Sequence, residues 1–278
     1  MREIDLHIHS TASDGTLSPR ELVILAKKQG LKAIAITDHD TASAYLEACK
    51  AGEEFGVEVI AGIEISTKYS GPIHILGYCI APQSPELLPV LNWVVEDRDR
   101  RNRKMAQLMA DDGLPVSYEA MQQRFGNVIG RPHFGQILVE LGLAESVNDA
   151  FDRFIEKGQK YYMPRSFLSV ESSIELICHA GGIAVLAHPF QYKRDDRGLR
   201  ELIEHCMESG LKGLECRYSG YDEKQVAYLE ALADEYGLIK TGGSDFHGSN
   251  KPHIKLGSGI SGELVVPYSF LQTLKDNR

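Results

Sequence analysis

Ile4-Asp5-Leu6-His7-Ile8-His9 is an apolar, β-branched run that closes on two histidines. Residues 4–8 read as a buried strand. Strand side chains alternate with a period of two, so His7 and His9 share one face and can meet one ion. The same ending recurs along the chain. Residues 33–36 run into Thr37-Asp38-His39-Asp40, 57–63 into Glu64, 183–187 into His188 of Ala187-His188-Pro189, and 238–241 into Asp245 and His247. A further strand, 73–80, carries His74 near its beginning, and Asp14 follows the first strand closely. A chain that repeatedly ends a strand on His or Asp gathers those groups at one rim of a barrel, as a polynuclear metal centre requires. A lone histidine is more often structural; the clusters together are not.

Between these strands the sequence signals helices. Ser18-Pro19-Arg20-Glu21 reads as an N-cap, a first-turn proline and a capping box, and Gly30 as the stop. Helices are expected over 44–55 and 172–180. Gly213-Leu214-Glu215-Cys216 reads as another short strand. This yields about seven parallel strands with helical crossovers, an α/β barrel. From 82 to 170 no strong strand appears. The expected organisation is a discontinuous barrel, 1–80 with 171–278, split by a helical insertion, 81–170. An insertion after the fourth strand is expected near the C-terminal rim, as a cap over the metals.

The composition narrows the function. With 43% hydrophobic and 25% charged residues the chain can bury a core and is not compositionally disordered. No apolar stretch reaches the ~20 residues of a membrane span, and Met1 leads almost directly into a strand, so no signal peptide is expected. Cys49, Cys79, Cys178, Cys206 and Cys216 form no CxxC pair and read as buried free thiols of a cytoplasmic protein. A net charge of −9 argues against long duplex nucleic acid as partner. Arg98-Asp99-Arg100-Arg101-Asn102-Arg103-Lys104 is the only basic run and reads as a solvated helix face. The insertion holds 11 basic and 12 acidic side chains, so it is no basic module. Imidazole and carboxylate ligands without thiolate suit Mn²⁺, Zn²⁺ or Fe²⁺ better than Ca²⁺ or Mg²⁺. His179 and His205 fall in helical runs and read as structural or solvated; nothing in the spacing draws His253 to the site.

Asp5-Leu6-His7-Ile8-His9-Ser10 with Ser13-Asp14-Gly15 resembles the first motif of the PHP (polymerase and histidinol phosphatase) family. Thr37-Asp38-His39-Asp40 resembles its second, and Ala187-His188-Pro189 and Gly243-Ser244-Asp245-Phe246-His247 its later ones. The resemblance implies a distorted (β/α)7 barrel with a trinuclear centre, three divalent ions with Mn²⁺ foremost and Zn²⁺ or Fe²⁺ as alternatives. It implies one ion on His7, His9, Glu64 and Asp245, a second on Glu64, His74 and His188, and a third on Asp14, His39 and His247. Asp38 and Asp40 would orient imidazoles or brace their turn. Clustered ions suit phosphate ester hydrolysis by metal hydroxide, without a covalent intermediate. Asp245, His188 and His247 are the catalytic candidates, with His188, His247 or a metal-bound water as the general acid.

Gly130-Arg131-Pro132-His133-Phe134 resembles an element of PHP phosphatases acting on nucleoside 3′,5′-bisphosphates. Lys157-Gly158-Gln159-Lys160 stands where those proteins have a Gly-Lys element. The resemblance implies that Arg131, His133 and Lys160 grip the phosphate that is not cleaved. After Ala187-His188-Pro189 the chain has Phe190-Gln191 where relatives often have Gly-Arg; Lys193 or Arg194 would replace that contact. The expected activity is removal of the 3′-phosphate from pAp-like nucleotides, or 5′→3′ trimming of short 5′-phosphorylated RNA. The alternatives are histidinol phosphate hydrolysis and a non-catalytic binding module. The expected partner is thus a small nucleotide or short RNA, and no membrane.

Overall fold

The computed structural model describes residues 3–126 and 128–278. Its first half runs β1 (Ile4–Ile8), α1 (Pro19–Gln29), β2 (Ala33–Ile36), α2 (Tyr45–Phe55), β3 (Glu58–Lys68), β4 (Pro72–Tyr78), α3 (Leu87–Asp111), α4 (Tyr118–Phe125), α5 (Arg131–Glu140) and α6 (Val147–Ala150). The second half runs β5 (Leu168–Ser169), α7 (Val170–His179), β6 (Ile183–Leu186), α8 (Asp196–Glu208), β7 (Gly213–Tyr218), α9 (Glu223–Tyr236), β8 (Ile239–Gly243) and α10 (Tyr268–Asp276). Two compact units result: Asn92–Ser166, and the residues flanking it on both sides. Leu87, Leu91 and Val170 fall inside the 81–170 segment expected as insertion, yet they pack in the barrel's outer core.

Seven strands follow the order β1-β2-β3-β4-β6-β7-β8, with β5 beside β3. Asp245 donates its amide to the His7 carbonyl at 2.7 Å and His9 its amide to Phe246 at 2.9 Å, which nearly closes the sheet. The result is a distorted (β/α)7 barrel. Alternation sorts the side chains. Ala33 and Ala35 of β2, Leu76 and Tyr78 of β4, and Ile183 and Val185 of β6 share one cluster. Ile34 and Ile36 pack instead with Leu22, Val23 and Ala48 of α1 and α2. Helix α1 starts as its sequence dictates: Ser18 Oγ accepts from the Glu21 amide at 3.2 Å and the Glu21 carboxylate accepts from the Ser18 amide at 2.8 Å. Gly30, at φ 76°, ends it.

The expectation of uniformly parallel strands fails at β4, which runs antiparallel to both β3 and β6. Only Tyr69-Ser70-Gly71 separates β3 from β4, and a parallel crossover needs a dozen residues or more. The reversal puts the beginning of β4 beside the later part of β3, where Ser66 faces His74. It also lengthens β3 beyond Glu64 to Lys68, so Glu64 stands within a strand and not at its end. The end of β4, where the chain leaves the barrel, consequently lies at the rim opposite the histidines. The chain rejoins the barrel at β5, paired with Thr67 and Lys68.

The unit Asn92–Ser166 has its own core, built on Met105, Met109, Phe125, Phe134, Leu138 and Ile155. The basic run does not form a solvated face throughout. Arg98, Arg101 and Asn102 are buried, continuing the helical stripe of Met105 and Met109, while Arg100, Arg103 and Lys104 are exposed. Cys206 and Cys216 are buried; Cys49, Cys79 and Cys178 are half-buried.

Close contact between β8 and β1 positions His7, the first of the predicted ligands. A Cβ on Gly243 would fall 2.3 Å from the His7 amide nitrogen. Gly243→Ala should therefore force the strands apart and cost about 1–3 kcal/mol in urea unfolding. It should also lower metal stoichiometry; unchanged stability and stoichiometry would contradict this packing.

Candidate metal centre

Glu64 is buried to 1% exposure, and five imidazoles surround it. Its Oε1 lies 2.8 Å from His74 Nδ1 and 2.9 Å from His188 Nε2. Its Oε2 lies 3.1 Å from His39 Nδ1, 3.3 Å from His9 Nε2 and 3.4 Å from His7 Nε2. Asp245 Oδ1 stands 3.2 Å from His9 Nε2, 3.6 Å from His7 Nε2 and 3.4 Å from His247 Nδ1. Asp14 Oδ1 reaches His247 Nε2 at 3.3 Å and His9 Nδ1 at 3.5 Å, and its Oδ2 lies 3.8 Å from His39 Nε2. The barrel thus brings all nine predicted ligands together. Three tight groups stand out: His9, Asp14, His39 and His247; His7, His9 and Asp245; and His39, Glu64 and His74. His188 joins through Glu64.

Lone pairs of imidazole and carboxylate repel unless a proton or a cation lies between them. His7 Nε2, His9 Nε2 and His39 Nδ1 are buried, lie within 3.4 Å of the Glu64 carboxylate and have no hydrogen-bond partner among the described residues. Orphaned buried nitrogens facing carboxylate oxygens, with no thiolate among them, are a donor set that suits divalent transition ions.

Several neighbours fix the orientation of these ligands. Glu215, buried within β7, accepts from His7 Nδ1 at 2.9 Å and from the His188 amide at 2.7 Å. His247 Nδ1 donates to the Asp245 carbonyl at 2.8 Å. Both contacts leave Nε2 as the donor facing the centre, the usual outer support of a metal-bound histidine. Tyr218 donates to Asp245 Oδ2 at 2.6 Å, and Lys251 Nζ meets the same oxygen at 2.7 Å. Asp5 Oδ1 and Oδ2 accept from the Ser244 amide and hydroxyl at 2.8 and 2.6 Å, and Oδ2 accepts from the Gly257 amide at 2.7 Å. Asp38 accepts from Ser10 and Ser13, bracing the first loop and not an imidazole. Asp40 accepts from the Ser66 amide at 2.8 Å. Asp40 (φ 57°), His188 (φ 26°) and Asp245 (φ 57°) hold left-handed backbone, rare for such residues and concentrated here.

Sequence reasoning missed Glu215, Tyr218 and Lys251. A carboxylate between Leu214 and Cys216 in a buried strand was the available signal for Glu215; Tyr218 and Lys251 offered none. Gln191 bonds the Tyr218 hydroxyl at 2.5 Å, and Arg194 donates to the Tyr69 carbonyl at 3.1 Å and stacks on its ring. His205 pairs with Glu171 and stacks on Tyr69; His253 is exposed.

The three predicted phosphate contacts lie in the other unit. Arg131 pairs with Glu156 at 3.2 Å and lies over Phe151 and Tyr162. His133 Nδ1 accepts from the Gly130 amide at 3.0 Å, capping α5, and its ring stacks on Phe125. Lys160 is exposed and pairs with Asp112.

A family model of the PHP domain matches residues 5–238. The chain belongs to the PHP domain family. This PHP chain is 35% identical over 247 residues to a 5′-3′ exoribonuclease of Haemophilus influenzae, covering 88% of this chain and 90% of the relative. It is 31% identical over 250 residues to a 3′,5′-nucleoside bisphosphate phosphatase of Chromobacterium violaceum, covering 89% and 88%. Its fold matches that of a Bifidobacterium adolescentis protein proposed to be a metal-dependent phosphoesterase. That match has a TM-score of 0.82 at 31% identity, over 98% of this chain and 95% of that one. No helix among the described residues is long and apolar enough to cross a membrane.

Two outcomes follow from the centre. Glu215→Gln should lower metal affinity about 10–100-fold in chelator competition while the circular dichroism spectrum stays unchanged; unaltered affinity would remove Glu215 from the centre's support. The second concerns pH. Burial disfavours charged His9, but the close carboxylates of Asp245, Glu64 and Asp14 outweigh it and raise its pKa from 6.5 to about 9. A raised pKa means stability fully present below pH 6.5 and lost as pH climbs through about 9. Asp14, Glu64 and Asp245 are held well below the usual carboxylate range: burial works against this, and neighbouring histidines, with Lys251 at Asp245, override it. They are ionised throughout that window. EDTA-treated protein should accordingly unfold at lower urea at pH 9 than at pH 6.5; a flat profile would contradict protonated His9.

Proposed function

We infer that this chain is a metal-dependent phosphoesterase that removes the 3′-phosphate of nucleoside 3′,5′-bisphosphates and trims short 5′-phosphorylated RNA by the same geometry. The observation that carries the reading is Glu64 buried among five imidazoles, three with unsatisfied nitrogens facing it. Its kinship with a bisphosphate phosphatase and a 5′-3′ exoribonuclease supports the substrate class.

His7, His9, Glu64 and Asp245 would hold one ion, Glu64, His74 and His188 a second, and Asp14, His39 and His247 a third, with Mn²⁺ the foremost candidate. Bound divalent ions would supply an activated water and neutralise charge on the phosphoryl oxygens. The chain's own groups do the rest. Asp245, held from behind by Tyr218 and Lys251, keeps its Oδ1 toward the histidines of β1. Of the two histidines among the candidate proton donors, His247 has its Nδ1 committed to the Asp245 carbonyl. His188 Nδ1 has no such bond, and a metal-bound water is the third candidate donor to the leaving oxygen. Arg131 and His133, with Lys160 as an added donor, would hold the phosphate that stays.

Phosphate release with Mn²⁺ from pAp, AMP, histidinol phosphate and a 5′-phosphorylated oligonucleotide tests this. Turnover should be greatest on pAp or the oligonucleotide, and Asp14→Ala or His188→Ala should abolish it. A preference for histidinol phosphate would remove the nucleotide reading, and no turnover on any substrate would favour a binding module. Arg131→Ala should raise KM for pAp about tenfold or more while leaving AMP nearly unchanged; equal effects on both would exclude Arg131 as anchor.

A further inference from the structure

Lys251 is the only lysine among the described residues that pairs with a ligand of the metal centre. Its Nζ lies 2.7 Å from Asp245 Oδ2, while Asp245 Oδ1 faces His7 and His9. Tyr218 donates to the same Oδ2 at 2.6 Å. Tyr218 approaches from buried β7, and Lys251 from the segment after β8, with its side chain 37% exposed. The hydroxyl at that distance already fixes the oxygen. Holding Asp245 therefore does not by itself account for an ammonium here. An ammonium has three donors, and Asp245 is its one hydrogen-bond acceptor among the described residues.

The place of Lys251 matters as much as its unspent donors. His7 and His9 are sealed from solvent, whereas the side chains of Asp14 and His74 are 18% and 28% exposed. An approaching anion meets the centre on that open side. Burial works to lower the pKa of Lys251, but Asp245, and then Asp14 and Glu64, raise it, so the charged tip faces the carboxylates of the whole centre. Its backbone is pinned as well. The Ser249 amide donates to Thr16 Oγ1 at 2.9 Å and Asn250 Nδ2 to the Asp14 carbonyl at 2.8 Å, tying the Lys251 segment to the loop that carries Asp14. The Ile254 amide donates to the Lys251 carbonyl at 3.0 Å. The cation is thus set in place before any substrate arrives, as electrostatic catalysis requires.

We propose that Lys251 is a catalytic residue whose ammonium donates a hydrogen bond to a non-bridging oxygen of the phosphoryl group under attack. The inference rests on the phosphoesterase reading and deepens it. Charge spread over those oxygens is what a positioned cation neutralises in phosphoryl transfer. Tyr218 keeps Asp245 in place while the ammonium turns to the substrate.

The test uses the full-length chain loaded with Mn²⁺ and freed of excess ion, titrated with inorganic phosphate by calorimetry, with Mn²⁺ content measured on the same samples. Lys251→Met should weaken phosphate about tenfold or more at unchanged Mn²⁺ content. It should also lower kcat/KM on the ester that the parent hydrolyses, and Lys251→Arg should recover part of both losses. Tyr218→Phe, which removes the other bond to Asp245 Oδ2, should leave the phosphate affinity of the loaded protein within about twofold of the parent. Equal losses in Lys251→Met and Tyr218→Phe, or loss of Mn²⁺ from Lys251→Met, would show that Lys251 acts only through Asp245 and would overturn the proposal. So would unchanged phosphate affinity in Lys251→Met, or no saturable phosphate binding by the parent. Phosphate binding that depends on Lys251, without turnover on any ester, would keep the contact and remove only the phosphoesterase reading.

Discussion

Three carboxylates and six imidazoles cannot share one pocket on their own lone pairs. Glu64, nearly sealed from solvent, meets five ring nitrogens within 3.4 Å. Only positive charge between them makes that arrangement bearable, whether protons on the histidines or divalent ions among them. Much of the local architecture answers to this constraint. Glu64 lies inside a strand, His74 enters from an antiparallel neighbour, and His188 and Asp245 hold left-handed backbone.

Outside the ligands lies a layer that holds them still. Glu215 grips the ring of His7 and the backbone of His188, coupling β1 to the turn after β6. Asp5 ties the beginning of the chain to Ser244 and Gly257. Tyr218 and Lys251 share the outer oxygen of Asp245. Each is buried or partly buried, so each contact acts in a medium where hydrogen bonds orient strongly and an unpaired group is costly. The neighbouring unit poses the opposite problem. Its helix buries Arg98 and Arg101 on the stripe that Met105 and Met109 occupy further along.

Much of the fold was legible because its signals are local. The Ser18 capping box, the Gly30 stop and the strand-ending histidines each depend on residues a few positions apart. The direction of β4 was less legible. Tyr69-Ser70-Gly71 is a hairpin signal, but the surrounding β/α alternation argues for another parallel strand, and the shortness of the connection decides against it. Arg98-Lys104 misled for a similar reason. Charge in a run implies solvent, whereas helical periodicity places every third or fourth member inward, and the packing partners on that face are distant in sequence.

By itself, the order of residues determined the barrel class, the identities of the nine ligand-type side chains and the absence of thiolate among them, because chemistry and strand period are properties of neighbours in the chain. Tertiary structure alone decided which oxygens and nitrogens face one another, that Glu215, Tyr218 and Lys251 brace that cluster, and that Arg98 and Arg101 of the basic run are buried. Those facts depend on contacts between residues tens to hundreds of positions apart, and no local pattern encodes the distance at which two such groups meet.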